Sequence, residues 1–434
     1  MKRRGAARNA VDHETTLRSA SRRRYPDQSV AIRSRADRFA AWVVASGFGH
    51  NGGVARLSFP PAALPAATED LRTELRAFLA DEIARGGFVP RCDTWLSQHD
   101  PSFSKKLGAA GFLGLAWPQE YGGHGRSQLD RFVVVEELLA HGAPIAAHWV
   151  SDRQSGPALL KHGTEQVRRE LIPGMVAGEI FFSIGMSEPD AGSDLANIRS
   201  TATRTDGGWL LNGTKVWTSQ AHNNQFFIVL VRTTALGEAG SKHRGMSQFV
   251  MDLRAPGVDI RPIRLLTGHH HFNEVVMTDV FVPDHYLMGT EGNGWDQCIA
   301  ELAFERSGPE RYLSTFPLLR ALIDAIGPEP STDTAAQVGM LVARLSALRR
   351  LCISVAVSLD SGGLPVTEAA LVKDMGTRLE GEIGEVARQL VPPGTNPVFD
   401  QLVADAVLSA PGFTLRGGTN EILRGIVARE LGVR

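Results

Sequence analysis

The stretch from Phe181 to Ser219, FFSIGMSEPDAGSDLANIRSTATRTDGGWLLNGTKVWTS, gathers short hydroxyls and one large aromatic at its ends. The β-rich residues Phe181, Phe182 and Ile184 lead into a turn made of Ser187, Glu188, Pro189, Asp190, Ala191, Gly192, Ser193 and Asp194. Two strand-like runs follow. The second, Trp209, Leu210 and Leu211, is expected to pass through an Asn212-Gly213 turn into Lys215, Val216, Trp217, Thr218 and Ser219. The pattern predicts an antiparallel β-module presenting Trp217, Ser187 and Ser219. A planar ring with a polar edge needs that equipment: a face to stack on and donors for its heteroatoms.

Two pieces of this stretch, SEPDAGSD from Ser187 and NGTKVWTS from Asn212, resemble the flavin-binding segments of the acyl-CoA dehydrogenase family, T-E-P-x-A-G-S-D and N-G-x-K-x-W-I-T. Ser187 and Ser219 replace threonines, so both hydroxyls are kept. Gly111 to Ser127, GFLGLAWPQEYGGHGRS, is similar to the family's G-x-x-x-x-x-W-P-x-E-Y-G-G-x-G loop. The run from His162 to Gln166 looks like the turn between the family's fourth and fifth helices. The resemblance spans about 65–434 and implies FAD as cofactor, an acyl-CoA thioester as substrate and its 2-enoyl-CoA as product. It also implies an electron-transfer flavoprotein as partner and a tetrameric assembly, homomeric or heteromeric.

The same resemblance assigns roles. Ser187 and Ser219 map onto hydroxyls that bond the isoalloxazine, Trp217 onto the aromatic beside it, Thr419 onto the diphosphate arm, and Ser193 onto a contact with thioester or pantetheine. The family's base is usually the Glu of a Y-E-G-T motif, but here the matching residues are Arg416, Gly417, Gly418 and Thr419. Isovaleryl- and long-chain-type members carry the base on the first C-terminal helix. Counting without a gap from Gly294 and Trp295 places it at Glu305, beside Arg306. Glu305, Arg306 and the backbone N–H of Gly417 are therefore the expected catalytic set. A carboxylate in a closed apolar site becomes a competent base, and an N–H aimed at the thioester oxygen favours the enolate. The family's R-x-x-F-G segment, which reaches the adenosine half of a neighbour's FAD, has no counterpart from Arg311 onward, and its Q-x-x-G-G-x-G-Y stretch is also absent, with only Leu390 to Asn396 in that region. That departure resembles heteromeric actinobacterial steroid-degrading members.

The elements needed to position these residues are legible in outline. Leu71, Leu75, Phe78, Leu79 and Ile83 share one helical face, and periodicity resumes over Leu129–His141 and Pro157–Ala177. Strand-like runs continue at Gln225–Arg232, Ser247–Leu253, Val258–Ile263 and Asn273–Val282, with His269, His270 and His271 read as a solvated loop rather than a metal site. Helical patterns then run to the end, broken by a Gly327–Pro330 linker and a loop over Ala410–Thr419. The expected fold is α+β: an N-terminal helical domain (59–178), a central small β-barrel or sandwich (179–290) and a C-terminal four-helix bundle (291–434).

Composition narrows the classes. With 434 residues, 43% of them hydrophobic, and a net charge of −1, the chain can bury a large core and shows no basic excess calling for nucleic acid. No apolar run reaches membrane-spanning length. The three cysteines, Cys92, Cys298 and Cys352, lack metal-ligand spacing and suit a reducing cytoplasm. Residues 1–58 are rich in arginine; a signal peptide is not expected, since the basic region is too long and no clean cleavage site follows. A disordered basic arm, or a translation start placed too far upstream, are the readings left. Three functions compete: a catalytic dehydrogenase subunit, a non-catalytic partner subunit, and a flavin monooxygenase or oxidase on the same fold.

Overall fold

Leu71, Leu75 and Leu79 recur at four-residue intervals along the first helix, α1 (Ala66–Ala84), and all three are buried. The computed structural model describes residues 57–433; the side chains of residues 302–305 are outside that description, as are residues 1–56 and with them almost all of the expected basic extension. The short helix α2 (Thr94–Ser97) and α3 (Pro101–Ala109) follow. α4 (Gln128–Ala140) begins with a reciprocal capping box between Ser127 and Asp130. Arg72 and Arg76 of α1 reach Glu136 and Glu137 of α4, tying the two helices by charge as well as by leucine packing. A π-helical turn, Ser151–Ser155, leads into α5 (Gly156–His162), which ends at His162, and Thr164 caps α6 (Glu165–Val176).

The middle of the chain is an eight-stranded sheet: β1 (Phe182–Gly185), β2 (Thr201–Thr205), β3 (Gly208–Ser219), β4 (Phe226–Arg232), β5 (Met246–Asp252), β6 (Val258–Arg264), β7 (His270–Pro283) and β8 (Leu287–Met288). Its order is β6-β7-β3-β2-β4-β5-β8, with β1 parallel to β4. Trp209 of β3 meets Phe249 of β5 edge-on at 5.3 Å although two strands separate them in the order. The sheet therefore curls over a core of its own, which also takes in Leu211, Phe227, Val229, Val275 and Val280.

Three sequence expectations change here. Asn212-Gly213 is not a turn. The β2–β3 hairpin closes at Asp206-Gly207, between paired Thr205 and Gly208, and β3 runs straight through Asn212 and Gly213. Asn212 instead sits opposite a bulge in β7, where its side chain exchanges two 2.9 Å bonds with Asp279. Gly213 is required for close approach: a Cβ there would lie 2.2 Å from Ser200 Oγ. His270 and His271 belong to β7 rather than to a solvated loop, with His271 buried and His270 stacked on His222 at 4.0 Å. The expected loop from Ala410 is shorter, because helix continues through Pro411 to Phe413.

The C-terminal half comprises α7 (Gly294–Arg306), α8 (Phe316–Ile326), α9 (Thr332–Asp360), α10 (Val366–Leu390), α11 (Pro397–Phe413) and α12 (Asn420–Glu430). Helix α10 is its centre: Ala369, Val372, Leu379, Ile383 and Ala387 are fully buried, and it packs against α9, α11 and α12. The turn between α11 and α12 is the Arg416-Gly417-Gly418-Thr419 segment.

Candidate active site

Between Lys215 and Thr218 the β3–β7 register slips by one residue, so Val216 and Trp217 together oppose Glu274. Trp217 takes up the slip at φ 59°, a conformation costly for a bulky side chain. The consequence is an indole 56% exposed, braced edge-on by Phe272 with ring centroids 5.9 Å apart. Backbone strain of this kind clusters at functional sites, and here it leaves an indole face open to solvent.

Ser187 is tied to this bulge through the backbone, its carbonyl accepting the Val216 N–H at 2.9 Å. Ser219 is held by its own carbonyl, which accepts Ser183 Oγ at 2.8 Å. Neither hydroxyl of Ser187 or Ser219 has a hydrogen-bond partner among the described residues. One exposed indole face with two uncommitted hydroxyls fits the isoalloxazine of FAD. Ser193, in contrast, lies exposed in the same turn with no described contact to the others.

The turn is built by two residues whose motif positions carried no role in the sequence reading. Fully buried Lys215 donates to Glu188 at 2.7 Å and to the Met186 carbonyl at 3.2 Å. Glu188 also accepts the N–H groups of Arg199 and Ser200. Burial alone would raise the Glu188 carboxyl, but the Lys215 ammonium and these N–H donors hold it below the usual carboxylate range.

The second half of the site is the Arg416–Thr419 turn. Arg306, the last residue of α7, donates from Nε to the Gly417 carbonyl at 3.1 Å. Gly417 and Gly418 have φ of 71° and 91°, values glycine adopts readily. The Gly417 N–H meets no acceptor among the described residues. Thr419 caps α12, its hydroxyl accepting the Ile422 N–H at 3.4 Å. The Glu305 side chain lies outside the described residues, but its backbone occupies the helix end that Arg306 fastens to Gly417.

The short helix α2 joins the two halves, which nothing in its sequence announced. Arg416 forms a bidentate pair with Asp93 at 3.0 and 2.7 Å and lies over the Trp95 ring at 4.1 Å. From the strand side, Gln220, adjacent to Ser219, donates to the Leu96 carbonyl at 2.9 Å. Nearby, burial pushes the Glu380 carboxyl up to about 7 against the pull of Arg416 and of the Ser314 N–H, which donates to it at 2.8 Å. Burial and Arg416 push the His271 imidazole down to about 4, keeping it neutral.

A sheet domain between two helical domains, with a presented indole at one strand end and a glycine turn pinned by an arginine, defines a flavoprotein of the acyl-CoA dehydrogenase type. Profiles of the acyl-CoA dehydrogenase N-terminal, middle and C-terminal domains match residues 65–179, 183–280 and 331–432. The acyl-CoA dehydrogenase FadE29 of Mycobacterium tuberculosis is 30% identical over 374 residues, covering 82% of this chain and 94% of that protein. FadE34 of the same organism is 33% identical over 331 residues, 75% of this chain, and the match spans about half of that longer relative, 45%. Among solved structures, the Tcur3481-Tcur3483 steroid ACAD superposes with a TM-score of 0.74 at 26% identity, covering 86% of this chain and 98% of that one. The chain belongs to the acyl-CoA dehydrogenase family, whose cofactor is FAD.

Proposed function

We propose that this chain is a catalytic subunit carrying out α,β-dehydrogenation of an acyl-CoA thioester, with Glu305 as the α-proton base. The observation that carries the proposal is the Arg306–Gly417 contact. It fastens the helix end bearing Glu305 to the turn that lacks the usual glutamate. The chemistry FAD supplies is acceptance of the β-hydride. Trp217 would support the ring, Ser187 and Ser219 would bond its polar edge, and Thr419 would stand at the diphosphate arm. Glu305 takes the α-proton; a carboxylate becomes a stronger base where bound substrate excludes water from it. The Gly417 N–H donates to the thioester oxygen, a bond that strengthens as negative charge develops there. Arg306 orients Gly417, and Ser193 is assigned to the thioester or pantetheine side.

The substrate class we favour is a steroid-side-chain or related bulky acyl-CoA, and the assembly a heteromer. Support comes from the likeness to the Tcur3481-Tcur3483 steroid ACAD and from the missing adenosine-binding segments. A heteromer would let a neighbouring chain complete the adenosine half of the FAD site. An electron-transfer flavoprotein is the proposed oxidant of the reduced enzyme. The test is purification of the chain, alone and with candidate partners, followed by anaerobic titration with a panel of acyl-CoA esters. Bleaching of the flavin band without oxygen consumption supports the reading; a chain that stays colourless in every assembly, or a band no ester bleaches, contradicts it.

A further inference from the structure

Lys373 is fully buried on α10, and its ammonium reaches three oxygens of the α11–α12 turn and the start of α12. Nζ lies 3.1 Å from the Thr414 carbonyl, 2.8 Å from the Gly418 carbonyl and 2.7 Å from Asn420 Oδ1. These acceptors sit on both sides of Gly417, at the start and the end of the turn. Asn420 is itself buried and braced by Thr377, whose hydroxyl stands 3.3 Å from its Nδ2. Arg306 takes the Gly417 carbonyl. Two cations on different helices thus claim consecutive carbonyls of a glycine pair that would otherwise rotate freely.

We infer that Lys373 is a positioning residue of the active site: by tying the Thr414 carbonyl at the start of the turn to the Gly418 carbonyl and Asn420 at its end, it holds the segment between them, and with it the Gly417 N–H, in place. The inference rests on the reading of that N–H as the donor to the thioester oxygen. In this role Lys373 acts through the turn.

The experiment compares binding of an acyl-CoA thioester with that of the matching CoA thioether, which lacks the carbonyl, by calorimetry on the assembled, flavin-loaded protein. Wild type is expected to prefer the thioester by roughly five- to tenfold, the worth of one well-placed hydrogen bond. Lys373→Met is expected to bring that ratio near one while binding of the thioether is unchanged, and Lys373→Arg to recover part of it. If Lys373→Met does not fold, Asn420→Ala, which removes one acceptor, is expected to reduce the ratio partway. Full preference retained in the variants overturns the role of Lys373 and leaves the Gly417 donor standing. A wild-type protein with no preference removes the donor itself, and with it the inference.

Discussion

Arg306 Nε and the Gly417 carbonyl are 3.1 Å apart, across 111 residues of sequence. The contact joins the C-terminal end of α7 to the α11–α12 turn, so residues 305 and 417, the two alternative base positions of the family, adjoin one pinned peptide. On the proposed reading, a Glu at one position and a Gly at the other is a relocation of the carboxylate within a single site.

Gly417→Ala should destabilise the protein by about 1 kcal/mol, because alanine at φ 71° carries a penalty glycine does not. Differential scanning calorimetry should show a lower melting temperature, and an unchanged transition would contradict the turn geometry.

Trp217→Ala should weaken FAD binding by roughly tenfold, the loss of one aromatic stacking partner. With the indole 56% exposed, the flavin-free protein should lose under ~0.5 kcal/mol. Fluorescence titration and thermal melts separate the two; equal FAD affinity would displace the ring from this strand end.

The burial of Glu380 gives a pH signature. Its carboxyl is raised from 4.5 to about 7, so the folded state binds this proton more tightly than the unfolded chain does. This group's contribution to stability therefore falls as pH rises from 4.5 to about 7 and is flat above. Glu380→Gln should be near-neutral at pH 4.5 and stabilising at pH 8, by about 3 kcal/mol. Denaturation across this range showing the same difference at both ends would refute the assignment.

Much of this was legible in sequence because the relevant signals are local. Leucine spacing gave α1, and SEPDAGSD with NGTKVWTS marked the turn and the strand end where Ser187 adjoins the bulge that holds Trp217. The Asn212-Gly213 reading failed because Asp206-Gly207 is the turn that closes the pairing, leaving Asn212 to satisfy Asp279 across a bulge. Asp93, Trp95, Glu380 and Lys373 were not legible at all. Their roles come from contacts with Arg416 and its turn, made across long sequence separations, and no periodicity or motif records such pairings.

Exposed apolar side chains on the C-terminal helices, among them Met340, Val398, Leu408 and Ile422, predict burial against other subunits. Light scattering should give a tetrameric mass, homomeric or with a partner chain; a flavin-bound monomer of 46.9 kDa would contradict it.

The most direct test of the account is the rate at which a proven acyl-CoA substrate reduces the flavin of Glu305→Gln under anaerobic conditions. The variant should bind FAD as wild type does, since Glu305 is not among the cofactor-binding residues, and its reduction should be slower by roughly two to four orders of magnitude. Near-wild-type reduction by that variant would mean that Glu305 is not the base.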